Sequence, residues 1–238
     1  MEKSKGMIET ENRQGIEKID EVADGIYHVI YPDDRKLGLA MIRFAEFYES
    51  PHFQGRNFTF QDYARWYLAN SQGGQKKGKF TYYDDWPGFN LPSRTLEPFY
   101  NGEFDPLRRG ELELLDSFRH KRGEKFYIIA SSQEATPDLI RHEIAHGLFD
   151  MREGYQREVL RVLKEERRSG NPAPDRLRNY LLNMAGGVGY AADKLLDEEQ
   201  AYLVAYDDIL ADGLDTPDMR KIHDRLMPIF DRFFITKE

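Results

Sequence analysis

Phe126-Tyr127-Ile128-Ile129-Ala130, followed by Thr136-Pro137-Asp138-Leu139-Ile140-Arg141-His142-Glu143-Ile144-Ala145-His146-Gly147-Leu148-Phe149, is the most informative stretch of this chain. The first five residues are apolar without a break, as expected of a central strand buried on both faces. Thr136 can cap a helix, Pro137 suits its first position, and Asp138 complements the positive end of its dipole. The spacing predicts a helix to about Phe149. A buried strand runs straight into a well-capped helix, and that helix carries two histidines four residues apart.

Upstream the signals are mixed. Gly25 to Tyr31 is aromatic and β-branched and reads as a strand ending at Pro32. Leu37 to Tyr48 reads as a helix. Thr59 caps another from Phe60 to about Asn70. A turn is expected at Gly73-Gly74, and a strand over Phe80 to Tyr83. Five prolines and glycines (Pro87, Gly88, Pro92, Pro98, Gly102) predict a long irregular connection over 86–105. Asp105-Pro106 reads as the start of a helix. Downstream everything reads helical, near 154–168, 174–185, 193–211 and 216–234. The glycine run Gly186 to Gly189 reads as a connector, since it lacks the lysine and hydroxyl residue of a phosphate loop. Strands come early and helices late, which predicts an α+β fold. The expected form is a small N-terminal mixed sheet with a mostly helical C-terminal half. Residues 1–24 are polar and read as a tail or surface segment, leaving 25–238 as one two-lobed domain.

Composition narrows the function. The chain of 238 residues has a formal net charge of -8, which opposes binding to nucleic acid phosphates. It has no cysteine, so a metal site must use His, Asp or Glu. No apolar run suggests a signal peptide or a membrane span, and the expected compartment is the cytoplasm.

The chemistry sits on the capped helix. Residues four apart share a helical face, so His142 and His146 can bind one zinc ion at about 2.0–2.1 Å each. Glu143 lies off that line, within reach of a water whose pKa zinc lowers to about 7. The competing reading is a helix with two satisfied core histidines. A catalytic site needs a third protein ligand and an open fourth position. None follows directly, because the chain continues Gly147-Leu148-Phe149-Asp150-Met151-Arg152. A later helix around Asp197-Glu198-Glu199-Gln200-Ala201-Tyr202 offers two glutamates toward its apolar side, and periodicity leaves both open. Asp197 and Gln200 fall on its polar face. An alternative for either glutamate is an ion pair with Lys194 or an arginine.

On these residues the sequence resembles the gluzincin class of metallopeptidases. His142, Glu143 and His146 match its H-E-x-x-H motif, and Glu198 with Ala201 matches its later E-x-x-A. The resemblance covers about residues 126–210. It implies an upper sheet, a lower helical part and a substrate cleft between them. It implies one zinc ion held by His142, His146 and Glu198, with Glu143 as general base toward a peptide or protein substrate. Tyr202 stands where many relatives carry Asp, which leaves the carboxylate that would orient a ligand histidine unassigned. The small Ala201 beside Glu198 would let two helices approach, whereas Glu199 has Tyr202 at that offset. Tyr190, Tyr202 and Tyr206 are candidate donors to the tetrahedral intermediate, against a favoured reading of each as a core or rim tyrosine, and His223 becomes one only if its helix folds back on the cleft. A peptide would lie along a strand edge, for which Phe80 to Asp84 is the candidate. The alternatives are a metal hydrolase acting on another bond, or an idle module that keeps the fold for binding or regulation.

Overall fold

Four strands make one mixed sheet in the order β1-β2-β4-β3, in a computed structural model that describes residues 15–183, 192–206, 209–210 and 213–234. They are β1 (Lys18–Ala23), β2 (Ile26–Tyr31), β3 (Gly88–Pro92) and β4 (Tyr127–Ser132). β2 and β4 run parallel at the centre, and β1 and β3 flank them antiparallel. The helices are α1 (Asp34–Glu49), α2 (Phe60–Asn70), α3 (Gln72–Lys77), α4 (Glu97–Tyr100), α5 (Arg109–Phe118), α6 (Pro137–Met151), α7 (Glu153–Arg168), α8 (Ala173–Asn183), α9 (Leu195–Ala205) and α10 (Pro217–Phe233). The expected α+β class holds.

Successive side chains of a strand face opposite ways. Val29, Ile128, Ala130, Phe89 and Leu91 face a cluster with α1, α5 and the aromatic residues of α2. Ile26, Tyr127 and Ile129 face a second cluster with α6 to α10. The motif helix therefore lies on one face of the sheet and the aromatic core on the other. Within the first cluster a buried ion pair ties α1 to α5. Arg43 Nε donates to Glu111 Oε1 at 2.7 Å, and neither side chain is more than 3% exposed.

Five local expectations are corrected. Lys18 to Ala23 is a strand and not part of a tail. Its charges sit on an edge, where such residues are common, and Gly25 turns the chain into β2 with φ of 71°. Gly73 and Gly74 lie inside the short α3. Phe80 to Tyr83 forms no strand; Tyr82–Asp84 is a single 3₁₀ turn. Tyr82 is drawn into the aromatic core against Tyr63, and Gly38 of α1 admits the backbone of Tyr83 closely. The irregular stretch after residue 86 contains β3, the edge strand beside α6. The helix expected at Asp105-Pro106 begins at Arg109, because Arg43 takes the carbonyls of Phe104 and Pro106.

The late helices fall close to their expected positions, although α9 ends at Ala205 and not near residue 211. Gly186 to Gly189 and Tyr190 lie outside the described residues. Among the described residues, no helix is long and apolar enough to cross a membrane.

Candidate metal centre

α6 begins as its sequence dictates. Thr136 Oγ1 accepts from Leu139 N at 3.2 Å, and Pro137 occupies the first turn. The cap fixes the start of the helix, and its face then follows from the packing of Ile144, Ala145 and Leu148, all buried in the helical cluster. His142, Glu143 and His146 are buried as well, at 8, 6 and 1% exposure.

α9 packs against α6 and completes the group. His142, His146 and Glu198 offer ligand atoms that all lie within 4.8 Å of one another. The two Nε2 atoms are 3.1 Å apart, and Glu198 Oε2 lies 3.8 Å from the first and 3.7 Å from the second. Donors bound at about 2.0–2.1 Å around one tetrahedral ion stand about 3.3–3.4 Å apart. The observed spacings bracket that value, and two imidazoles with one carboxylate are a donor set suited to zinc. The three residues fit the ion.

Glu199 goes elsewhere. Its carboxylate is fully buried between Arg167 and Arg178, with Arg178 Nη1 at 2.9 Å from Oε1. Adjacent helical residues point about 100° apart. One glutamate therefore meets the histidines while the next meets the arginines. The small Ala201 is fully buried in the same cluster as Ala145, where the two helices approach.

Two further sets of residues support the group, and sequence patterning missed both. Asp197 was placed on a polar helix face. It lies instead with its Oδ1 2.9 Å from His146 Nδ1. Gln200, also placed on that face, is buried; its Nε2 donates to Asp197 Oδ1 at 3.1 Å, and Tyr155 Oη donates to Gln200 Oε1 at 2.7 Å. Asp197 thus occupies the role of a carboxylate behind a histidine that Tyr202 could not fill. The available signal was an acid directly before the candidate ligand. The second set reaches Glu143. Asn90 Nδ2 of β3 donates to Glu143 Oε2 at 3.0 Å, and Tyr127 Oη of β4 donates to Asn90 Oδ1 at 2.6 Å. Gly88 also meets this carboxylate: a Cβ there would overlap Glu143 Oε1 and come within 3.0 Å of Leu139 Cδ1. A glycine in a strand often marks such a close approach.

A cleft opens between β3 and the two helices. Glu49, Asp85, Trp86, Asn90, Leu139 and Tyr202 line it together with the four motif and ligand candidates. Burial, with the neighbouring His146 cation, pulls the His142 imidazole well below its usual range. Burial also lowers His146, but the carboxylates of Asp197 and Glu198 more than offset this and raise it. Burial and the nearby Glu198 push Glu49 well above the usual carboxylate range.

The other candidates separate. The Tyr202 ring meets His142 edge-on, with centroids 4.9 Å apart, and lines the cleft. Tyr206 donates to Asp215 Oδ1 at 2.8 Å, and His223 Nδ1 is 2.7 Å from the Leu203 carbonyl; neither lines the cleft. No protein-family model, no curated protein and no solved structure matches the chain.

Proposed function

We propose that this chain is a zinc-dependent peptidase of gluzincin type, with zinc held by His142, His146 and Glu198. One observation carries the reading: two histidines and a glutamate from separate helices converge within 4.8 Å, beside a glutamate that lines the same cleft. The chemistry such an ion supplies when bound is Lewis acidity, toward a water and toward the carbonyl of a peptide bond. Glu143 takes the proton of that water as general base and returns it to the leaving amine nitrogen. Asp197 Oδ1 stands 2.9 Å from His146 Nδ1, the nitrogen that faces away from Glu198, which is where a carboxylate orients a ligating ring.

β3 is the sheet edge that borders the cleft, so a peptide substrate has its natural place there and not at Phe80 to Asp84. An added strand would gain main-chain hydrogen bonds. The test is metal content together with cleavage of a mixed peptide library by purified protein. One zinc per chain with cleavage is expected. Zinc without cleavage of any peptide would leave a non-peptidase hydrolase or a binding module, and no zinc would end the reading.

A further inference from the structure

We propose that Tyr127 and Asn90 are positioning residues that hold the Glu143 carboxylate for its work as base; this rests on the peptidase reading above. All three side chains are buried, with Tyr127 at 0%, Glu143 at 6% and Asn90 at 7% exposure. The chain of bonds has one direction. A tyrosine hydroxyl has a single proton, and Tyr127 gives it to Asn90 Oδ1 at 2.6 Å. The carboxylate of Glu143 fixes which end of the amide is which, because an ionised carboxylate only accepts. Nδ2 must then face Glu143, and it donates to Oε2 at 3.0 Å. The reversed amide would set two oxygens against each other at Glu143, while Tyr127 Oη could accept from Nδ2 as readily as it donates to Oδ1. A carboxylate that accepts this bond is held in one orientation.

Gly88 completes the hold. It stands two residues before Asn90 on the same face of β3, and its missing side chain leaves the space that Glu143 Oε1 occupies. One oxygen is therefore held by a donor and the other is packed against bare backbone. Asn90 bonds to Glu143 and Tyr127 bonds to Asn90, and neither bonds to His142, His146 or Glu198, so the relay is separable from metal binding. The strand that offers the free sheet edge to a peptide is also the strand that sets the base.

The test uses the full chain labelled with ¹⁵N and loaded with zinc. The Asn90 side-chain amide is assigned by its loss in Asn90→Leu. In the wild type one of its protons is expected downfield, as for a donor to a carboxylate. Glu143→Gln and Tyr127→Phe should each move it. In cleavage assays Asn90→Leu should lower kcat by about 10- to 100-fold, with KM and zinc affinity within about threefold of wild type. Tyr127→Phe, a smaller change that keeps the ring packed, should lower kcat by about 3- to 10-fold. An amide signal that neither variant moves overturns the relay, as does a wild-type kcat in both Asn90→Leu and Tyr127→Phe. Parallel loss of zinc affinity in Tyr127→Phe would also overturn it, since the residue would then act on the metal group. A zinc-loaded wild type that cleaves no peptide overturns the peptidase reading instead; the amide shifts still decide whether Glu143 is held this way.

Discussion

Two tyrosine–amide–carboxylate relays meet on α6, and they differ in whether any two of their members share an element. Tyr155, Gln200 and Asp197 end on His146, all within the helical cluster. Tyr127, Asn90 and Glu143 join β4, β3 and α6 across the sheet. In the first, Asp197 and Gln200 are one helical turn apart, so α9 alone brings them together. In the second, no two members share an element. The first relay can keep its geometry as long as α9 is helical and docked. The second depends on the register of an edge strand that pairs with a single neighbour, β4. A tyrosine–amide–carboxylate relay can therefore reach a proposed metal ligand with its amide and acid on one helix, or reach a proposed base from a strand that also borders the cleft.

The sharpest way to break the symmetry is to remove the two groups on which the relays end. His146→Ala removes one of the three proposed protein ligands, so zinc should fall to near zero per chain by elemental analysis, and activity should go with it. Full occupancy in that variant would show that the metal is held elsewhere. Glu143→Gln should behave in the opposite way. Zinc stays, while hydrolysis falls by about two to four orders of magnitude, because an amide cannot take the proton. A wild-type rate would remove Glu143 from the mechanism.

A smaller effect is expected one step back along the first relay. Asp197→Asn keeps the shape but loses the charge behind His146. Zinc affinity should weaken about 10- to 100-fold, read by competition with a chelating dye. Unchanged affinity would mean that the 2.9 Å contact does not support the ligand.

The smallest effect separates the adjacent glutamates. Glu199→Ala should keep zinc and lose about 1–2 kcal/mol of stability in urea unfolding, since Arg167 and Arg178 are each partly exposed and can turn to water. Glu198→Ala should lose zinc. Zinc loss in Glu199→Ala alone would shift the ligand by one residue.

Much of the fold was legible because it rests on local chemistry. Thr59, Thr136 and Thr216 each cap the helix that follows them, through hydrogen bonds to residues three positions on. The unbroken apolar run at Phe126 to Ala130 reads as a central strand, and Tyr127–Ser132 is one. β1 and β3 were not legible, for opposite reasons. β1 is charged because it is an edge, and β3 is short and hemmed by Pro87 and Pro92. At Tyr82 the aromatic composition of a strand was satisfied by a different partner, the ring cluster of α2. Within the site, His142, Glu143 and His146 share one helix, so their relation follows from 3.6 residues per turn. Glu198 needed a second helix to dock. Asn90 gave no signal at all, because an asparagine between apolar residues in a proline-rich stretch reads as a turn.

The sequence by itself determined the strand at Phe126 to Ala130, the caps of the helices that follow Thr59, Thr136 and Thr216, and the spacing of the histidines on α6. Each depends on residues within about ten positions of one another. The tertiary structure alone decided which glutamate faces the histidines and that Asp197 stands behind His146. It also decided that the edge strand β3 reaches Glu143 through Asn90. Those relations depend on the rotation of α9 about its own axis and on the register of β3 against β4. Rotation and register follow from packing between elements far apart in the chain, and no local propensity encodes them.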